Sequence, residues 1–168
     1  MVKRATTPYF IPILFTLLIL ATFFVYSTSL RGPFIWDDVH FVQKNPAVRS
    51  VEKVPEYFTS KETFYGLGEF YIYRPLRNIS YLIDYALHGA EPFGYRLANL
   101  LLHLQNILMV ACLARLLTAS WSVSIISAAL FAFHPVQTEA VSWIKGRDDL
   151  LATFFYLGAL VSFRRRDF

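Results

Sequence analysis

Two adjacent carboxylates, Asp37 and Asp38 in FIWDDVHF, follow a long apolar run by only a few residues. Like charges side by side near a low-dielectric phase repel, so one of the pair is expected to hold a proton more readily than a free carboxylate. That is the state a general base needs. A structural reading competes with it. DDVHFVQKN reads as a short helix, and an aspartate ahead of it would cap the N-terminus. Capping accounts for one carboxylate and leaves the other. The densest polar cluster is HPVQTEAVSWIKGRDDLL, residues 134–151, with His134, Glu139 and Arg147. Pro135 suits the first position of a new helix, Gly146 would end it, and Asp148 or Asp149 could cap the next. Glu139 and Arg147 are then left with no structural task beyond pairing with each other. Asp37, Asp38 and His40 could supply ligands to a divalent cation, although three donors in one loop are a thin set.

The elements that must position these groups are membrane elements. Of 168 residues, 55% are hydrophobic, 17% aromatic and 17% charged, with a mean hydropathy of +0.42. A soluble domain carries about 25% charged residues. The net charge of +4 would suggest nucleic acid in a soluble chain. Here the basic residues gather at the chain ends, which fits membrane orientation and not nucleic acid. Cys112 is the sole cysteine, so an intrachain disulfide is excluded.

Residues 9–30 carry no charge until Arg31 and match the ~20 residues that cross a ~30 Å hydrocarbon core. The run is longer than the apolar core of a cleaved signal peptide, about 7–15 residues, so it is expected to remain as the first span. Further spans are expected at 95–117, 118–133 and 150–163. The last two are short: residues 150–163 rise only about 21 Å as a helix. The turn joining them, 134–149, is therefore expected to dip below the membrane surface, where irregular backbone survives only against protein or a wet cavity. The loop 31–94 is not uniform. Leu76, Ile79, Ile83 and Leu87 recur at helical spacing up to Gly89, and read as an amphipathic helix in the interface or as a helix packed on a small extramembrane fold. Residues 51–58 read as a second short helix. The fold class is thus all-α integral membrane, about four transmembrane helices with a long outer loop carrying short interfacial helices.

Lys3, Arg4, Arg115 and Arg164 to Arg166 place both termini on the cytoplasmic side by the positive-inside rule, with the 31–94 loop and the 134–149 turn outside. In the second span, Arg96, Asn99, His103 and Asn106 fall within about 80° of one another at ~100° per residue. Such a stripe must face protein or water, as interhelical glue or as the wall of a polar cavity. Asn78-Ile79-Ser80 is a glycosylation sequon hard against the membrane, where occupancy is expected to be low.

FIWDDVHFVQKNPAV, YRPLRNISYLIDYALHGAEPFGYRLANLLLHLQN and FAFHPVQTEAVSWIKGRDDLL, in that order, resemble the N-terminal membrane half of the transmembrane and tetratricopeptide-repeat family, GT-C fold glycosyltransferases related to protein O-mannosyltransferases. The resemblance covers nearly the whole chain. It implies a partial GT-C fold and inverting transfer of a mannose-like sugar from a polyprenyl phosphate to a protein Ser or Thr hydroxyl. It also implies a catalytic carboxylate in the first outer loop, Asp37 or Asp38, with Asp38 narrowly favoured as base and Asp37 orienting it or binding a divalent ion. Arg74 and Arg147 would meet the lipid phosphate, because a guanidinium matches phosphate oxygens bidentately. His134 and Glu139 would orient acceptor or sugar. The implied partners are membrane lipid, the polyprenyl-phosphate sugar and a protein acceptor. The wording of the motifs favours a bacterial cytoplasmic membrane over the endoplasmic reticulum.

The sequence also departs from the family. Further spans and the tetratricopeptide repeats are absent up to RRRDF, so a fragment is expected, inactive without its C-terminal half or a partner chain. The alternative is a non-catalytic four-span scaffold or assembly subunit that uses the polar stripe as its partner interface.

Overall fold

The computed structural model describes residues 9–63 and 72–166. Lys3, Arg4 and Glu69, together with the side chains of Glu62 and Arg166, lie outside the described residues. Among the described residues every regular element is helical. Helix α1, Phe10–Tyr26, is extended by a 3₁₀ segment, Ser27–Arg31. The outer loop holds a π-helical turn, Val39–Gln43, three 3₁₀ turns, Pro46–Arg49, Val51–Lys53 and Lys61–Thr63, and the short helix α2, Glu56–Thr59. Then come α3, Pro75–His88; α4, Pro92–Thr118; α5, Trp121–Phe133; α6, Gln137–Ser142; and α7, Arg147–Arg166.

Among the described residues, two helices are long and apolar enough to cross a membrane, Phe10–Arg31 and Pro92–Thr118. Helix α5 is a shorter apolar helix of 13 residues, ~20 Å long at 1.5 Å per residue. Helix α7 has 20 residues, longer than the expected 150–163, because it takes in Arg147, Asp148 and Asp149 at its start and runs on into the arginines at its end. The charges at its start are tolerated because Arg147 and Asp148 are paired to other elements.

Helix α4 is the axis of the bundle and packs on α5, α7, α6, α3 and α1. Against α5 the contact is made of small and branched side chains: Ile107 and Ala111 meet Ala128 and Ala132, with Leu18 of α1 closing the cluster. Small residues let helix backbones approach where lipid offers no hydrophobic drive. Ser124 Oγ donates to the Ala111 carbonyl at 2.7 Å across the same contact. The connection is tight. Ala119 ends α4 with φ +55°, and Ser120 caps α5 by accepting from Val123 N.

The polar stripe of α4 is buried and turned inward. Asn99 Nδ2 donates to the Trp143 carbonyl at 2.8 Å, and Asn106 Nδ2 to the Leu150 carbonyl at 3.0 Å. His103 Nε2 lies 3.3 Å from the Ala132 carbonyl. Arg96 donates to the carbonyls of Ser142 and Pro33. The stripe is glue: Arg96 and Asn99 bind the backbone of the turn between α5 and α7, His103 meets α5 itself and Asn106 meets α7 itself. Asn99 lies about two helical turns in from Pro92, ~10 Å along the axis. The turn is therefore tucked beside α4 below its end, and its carbonyls are satisfied there by side chains. Gly146 permits this fold: a Cβ there would sit 2.5 Å from the Ala140 carbonyl oxygen.

Arg147, at the start of α7, binds both α3 and α4. Its Nε donates to Asn99 Oδ1, Nη1 to Ser80 Oγ at 3.1 Å, and Nη2 to Asp84 Oδ2 at 2.7 Å and the Tyr95 carbonyl at 2.8 Å. Its guanidinium also stands 5.3 Å from the centre of the Tyr81 ring. Burial pushes the Asp84 carboxyl up, and the Arg147 charge opposes that shift.

Helix α3 presents the opposite face from the usual amphipathic arrangement. Arg77, Asn78, Tyr81, Leu82 and Asp84 are buried against the rest of the chain, while Leu76, Ile83 and Leu87 are 50%, 54% and 70% exposed. The packed reading of this segment is the one the contacts show: the polar face packs on a small outer fold, and the apolar face is exposed away from it. That fold has its own core of Ala47, Tyr57 and Leu82. It is closed by Tyr57 OH donating to the Ala47 carbonyl at 2.6 Å and Asn78 Nδ2 donating to the Thr63 carbonyl at 3.0 Å. Gly89 ends α3 with φ +64°, a left-handed conformation that suits glycine.

Two predictions follow from this packing. Arg147→Met should destabilise the folded chain by about 3–5 kcal/mol by leaving Asp84 buried and unpaired, seen as a lower midpoint of thermal unfolding in detergent. Asn78 should stay unglycosylated in a host with the machinery, because its amide is buried and bonded. Endoglycosidase treatment should produce no mobility shift, and a shift would mean that α3 does not pack on the outer loop.

Candidate functional site

The two carboxylates of FIWDDVHF have different surroundings. Asp38 is wholly buried. Its Oδ2 accepts from Ile35 N at 3.2 Å and its Oδ1 from Lys145 N at 3.0 Å. Burial pushes its carboxyl up, and the two backbone N–H groups and the Arg96 charge pull it back. Asp38 precedes the π-helical turn but makes no side-chain cap on it, so the capping expectation is corrected: the carboxylate turns back to Ile35 and across to Lys145. Asp37 has a side chain 28% exposed, and its Oδ2 lies 3.2 Å from Lys145 Nζ. Backbone and ammonium of the same lysine thus meet the two neighbouring aspartates, and the turn is locked to the outer loop at that point.

Trp36 precedes the pair with φ +46°, a conformation rare for a bulky side chain. Its indole is 81% exposed and meets Trp143 edge to face, ring centres 6.3 Å apart. Lys145 Nζ stands 4.7 Å from the centre of the Trp143 ring.

Arg74 immediately precedes α3 and pairs with Asp148 in the first turn of α7. Arg77 Nη1 lies 3.5 Å from the same carboxylate oxygen, and its guanidinium covers the Phe41 ring at 4.3 Å. Two arginines share one carboxylate. Arg74 remains 34% exposed, and Arg77 is buried.

Two recesses meet at Arg74, Asp148 and Asp149. One is a groove of about 470 Å³ between α3 and α7, with Leu76, Leu151, Ala152 and Phe155 on its apolar side. The other is a polar recess of about 100 Å³, lined further by Glu139, Trp143, Lys145 and Gly146. The structure therefore brings Arg74 and Glu139 to one recess, with Asp37 attached through Lys145. It does not bring in His134, which is exposed and whose Nδ1 accepts from Val136 N at 3.2 Å at the start of α6. Nor does it present Arg147, which is buried and bonded through all three guanidinium nitrogens. Glu139 and Arg147 do not pair with each other.

Sequence reasoning missed Lys145, Trp143 and Asp148 as site-lining residues, and Trp36 as the residue that meets Trp143 edge to face. The segment SWIKGRDD carried three of them in plain view, but the fold of the α6–α7 turn decides which of its charges face out. Among the described residues, no three His, Cys, Asp or Glu side chains converge as a metal site.

Comparison with known proteins finds relatives at useful identity. The chain is 35% identical over 147 residues to protein O-mannosyl-transferase TMTC1 of Mus musculus, covering 83% of this chain and 15% of that protein. It is 33% identical over 148 residues to protein O-mannosyl-transferase Tmtc1 of Drosophila melanogaster, covering 85% of this chain and 17% of that protein. Against protein O-mannosyl-transferase TMTC2 of Homo sapiens the identity is 28% over 144 residues. The chain spans about a sixth of the length of these relatives. They come from mouse, fly and human, and the preference for a bacterial membrane finds no support among them. No family model matches. No solved structure matches either. With identity of this order spread over most of its length, on a frame whose described residues are all-helical and include two helices long and apolar enough to cross a membrane, the chain is a homologue of part of the length of the transmembrane and tetratricopeptide-repeat protein O-mannosyl-transferases.

Proposed function

We propose that this chain carries the outer-face donor and base site of a glycosyltransferase that moves a mannose-type sugar from a polyprenyl phosphate to a Ser or Thr hydroxyl of a protein. The observation that carries the reading is the junction at Arg74, where an apolar groove opens into a polar recess beside Asp37. A lipid-linked sugar has the same sequence of parts: an apolar tail, a phosphate and a polyhydroxylated ring. The tail lies along Leu76, Leu151 and Phe155, the phosphate meets Arg74, and the sugar enters the recess of Glu139 and Lys145. Helices α1, α4, α5 and α7 cross the membrane and leave this junction on its outer face.

Asp37 is the base in this reading, and Asp38 is the positioning residue. The acceptor hydroxyl gives its proton to Asp37 as its oxygen attacks the anomeric carbon from the face opposite the phosphate. The bond from that carbon to the phosphate oxygen breaks, the electron pair leaves with the phosphate, and the configuration inverts. Arg74 stabilises the charge that grows on the leaving phosphate. Asp38 works at a distance from the substrate: by holding the backbone of Ile35 and Lys145 it fixes Asp37 and the Lys145 ammonium together. Arg147 keeps the floor of the site in place. A divalent cation and a protein partner that completes the donor cradle belong to the same reading as open additions.

Donor binding tests the reading without requiring turnover. A photoactivatable farnesyl phosphate should label the purified chain at α3 and α7, and Arg74→Gln should remove most of the labelling. Labelling that ignores Arg74, or that falls at the opposite end of the bundle, would overturn the site. Once the chain is joined to the rest of a full-length relative, the aspartates should separate. Asp37→Asn should abolish transfer to a Ser/Thr peptide while leaving labelling and thermal stability unchanged. Asp38→Asn should cost about 1–3 kcal/mol of stability, because one of its two backbone donors would then face an amide NH₂. If Asp37→Asn transfers normally and Asp38→Asn is stable but inactive, the assignment of roles is reversed.

A further inference from the structure

The end of the bundle opposite the Asp37 recess carries a second arrangement that the transfer reaction does not use. Two clefts flank α4 there. One, of about 270 Å³, lies between α1, α4 and α5, with Phe15, Ala111 and Leu116 on its walls and Arg115 and Trp121 among its lining. The other, of about 470 Å³, lies between α4 and α7, with Met109, Phe154 and Val161 on its walls and Arg165 among its lining. Leu108 and Cys112 line both, so the clefts are separated by a single ridge of α4.

Each cleft includes an arginine, and the two guanidinium groups belong to one neighbourhood. Arg165 Nη2 lies 3.9 Å from Cys112 Sγ, and Arg115 is one turn further along α4, ~4.5 Å in rise. Arg115 stands 4.9 Å from the Trp121 ring, and Trp121 Nε1 is buried without an acceptor. Among the described residues, neither Arg115 nor Arg165 meets a carboxylate, whereas Arg74, Arg77 and Arg147 each do. Gly158 lies in the lining of the α4–α7 cleft, and a Cβ on it would meet nothing within 4 Å. Packing does not demand that glycine, and its lack of a side chain keeps the cleft open.

We infer that this end binds one anionic phospholipid of the cytoplasmic leaflet. Its phosphate lies between Arg115 and Arg165, and its acyl chains occupy the two clefts on either side of Leu108 and Cys112. The chemistry matches part by part. Two arginines that meet no carboxylate among the described residues, and an orphan indole N–H, call for an anion; a guanidinium suits a phosphate, and two apolar clefts on one ridge call for paired hydrocarbon chains. The Arg115 end is also where the positive-inside rule puts the inner leaflet. A single-chain polyprenyl phosphate at the outer groove is a different ligand at the other end of α4, so this inference stands apart from the transfer reading.

Native mass spectrometry of the purified chain, with dioleoyl phosphatidylglycerol and dioleoyl phosphatidylcholine as probes, decides it. The wild-type chain should retain phosphatidylglycerol at collision energies that strip phosphatidylcholine. Arg115→Gln with Arg165→Gln should lose that preference, and Arg115→Lys with Arg165→Lys should keep most of it. Gly158→Leu should lose phosphatidylglycerol with both charges intact, because it fills an acyl cleft. Unchanged far-UV helicity in each variant separates loss of lipid from loss of fold. Three results would overturn the inference: equal retention of both lipids by the wild type, retention unchanged in the double Gln variant, or equal loss in a Lys53→Gln control in the outer loop. A chain that appears as a dimer, shows no lipid preference and is dissociated by Gly158→Leu would assign the clefts to a second copy instead.

Discussion

A guanidinium out of water has to spend its donors, and where Arg147 spends them organises this molecule. The group offers five N–H donors in a rigid planar fork, and leaving them unmade in a low-dielectric interior would cost several kcal/mol. Its partners are Asn99, Ser80, Asp84 and the Tyr95 carbonyl, drawn from α3 and α4, and Arg147 itself begins α7. No local rearrangement can satisfy that set. The outer loop, the central helix and the last helix must come together in one register, and the polar face of α3 must turn inward to supply Ser80 and Asp84. The exposed apolar face of α3 is the consequence.

The same constraint acts on the turn between α5 and α7. Irregular backbone lying below the end of α4 needs internal partners for its carbonyls. Arg96 and Asn99 supply them to Ser142 and Trp143, and Asn106 adds a bond to the Leu150 carbonyl in the first turn of α7. Once the turn is held, Lys145 is held. Its backbone N–H reaches Asp38 and its ammonium reaches Asp37. Two residues adjacent in sequence thereby take different work. One carboxylate is consumed by backbone donors and disappears into the fold, and the other is left at the edge of the recess. A pair of equivalent exposed carboxylates would hold the loop less firmly, and a pair of buried ones would leave nothing to meet a substrate.

Much of the frame was legible in the sequence. The uncharged run 9–30 and the long apolar stretch after Glu91 gave the two spanning helices, Gly89 gave the end of α3, and the Arg96–Asn106 stripe gave an inward-facing edge of α4. Local patterns decide such things. The stripe's function as glue was one of two readings open from spacing, and only the position of the α5–α7 turn separates them. The site was legible in part. Arg74 and Glu139 do line the recess, whereas His134 does not and Arg147 is buried away from it. An arginine on a phosphate and an arginine on Asp84 look the same in one dimension, because the partner that distinguishes them is 63 residues away along the chain. Asp37 and Asp38 were inseparable for the same reason: the group that sorts them is Lys145, 107 residues from Asp38.

The inverted face of α3 joins these threads. An interfacial helix normally sets its polar side to water and its apolar side to lipid. Here the polar side is spent on protein, so α3 is anchored from within by Arg147 and by the Thr63 carbonyl, and Leu76, Ile83 and Leu87 are free to face hydrocarbon. Leu76 is also a wall of the groove that leads to Arg74. One apolar surface is therefore continuous from the outside of α3 into that groove. In the proposed transfer reading this surface guides the donor's tail without its crossing water and brings its phosphate first to Arg74, the arginine of this cluster that remains partly exposed.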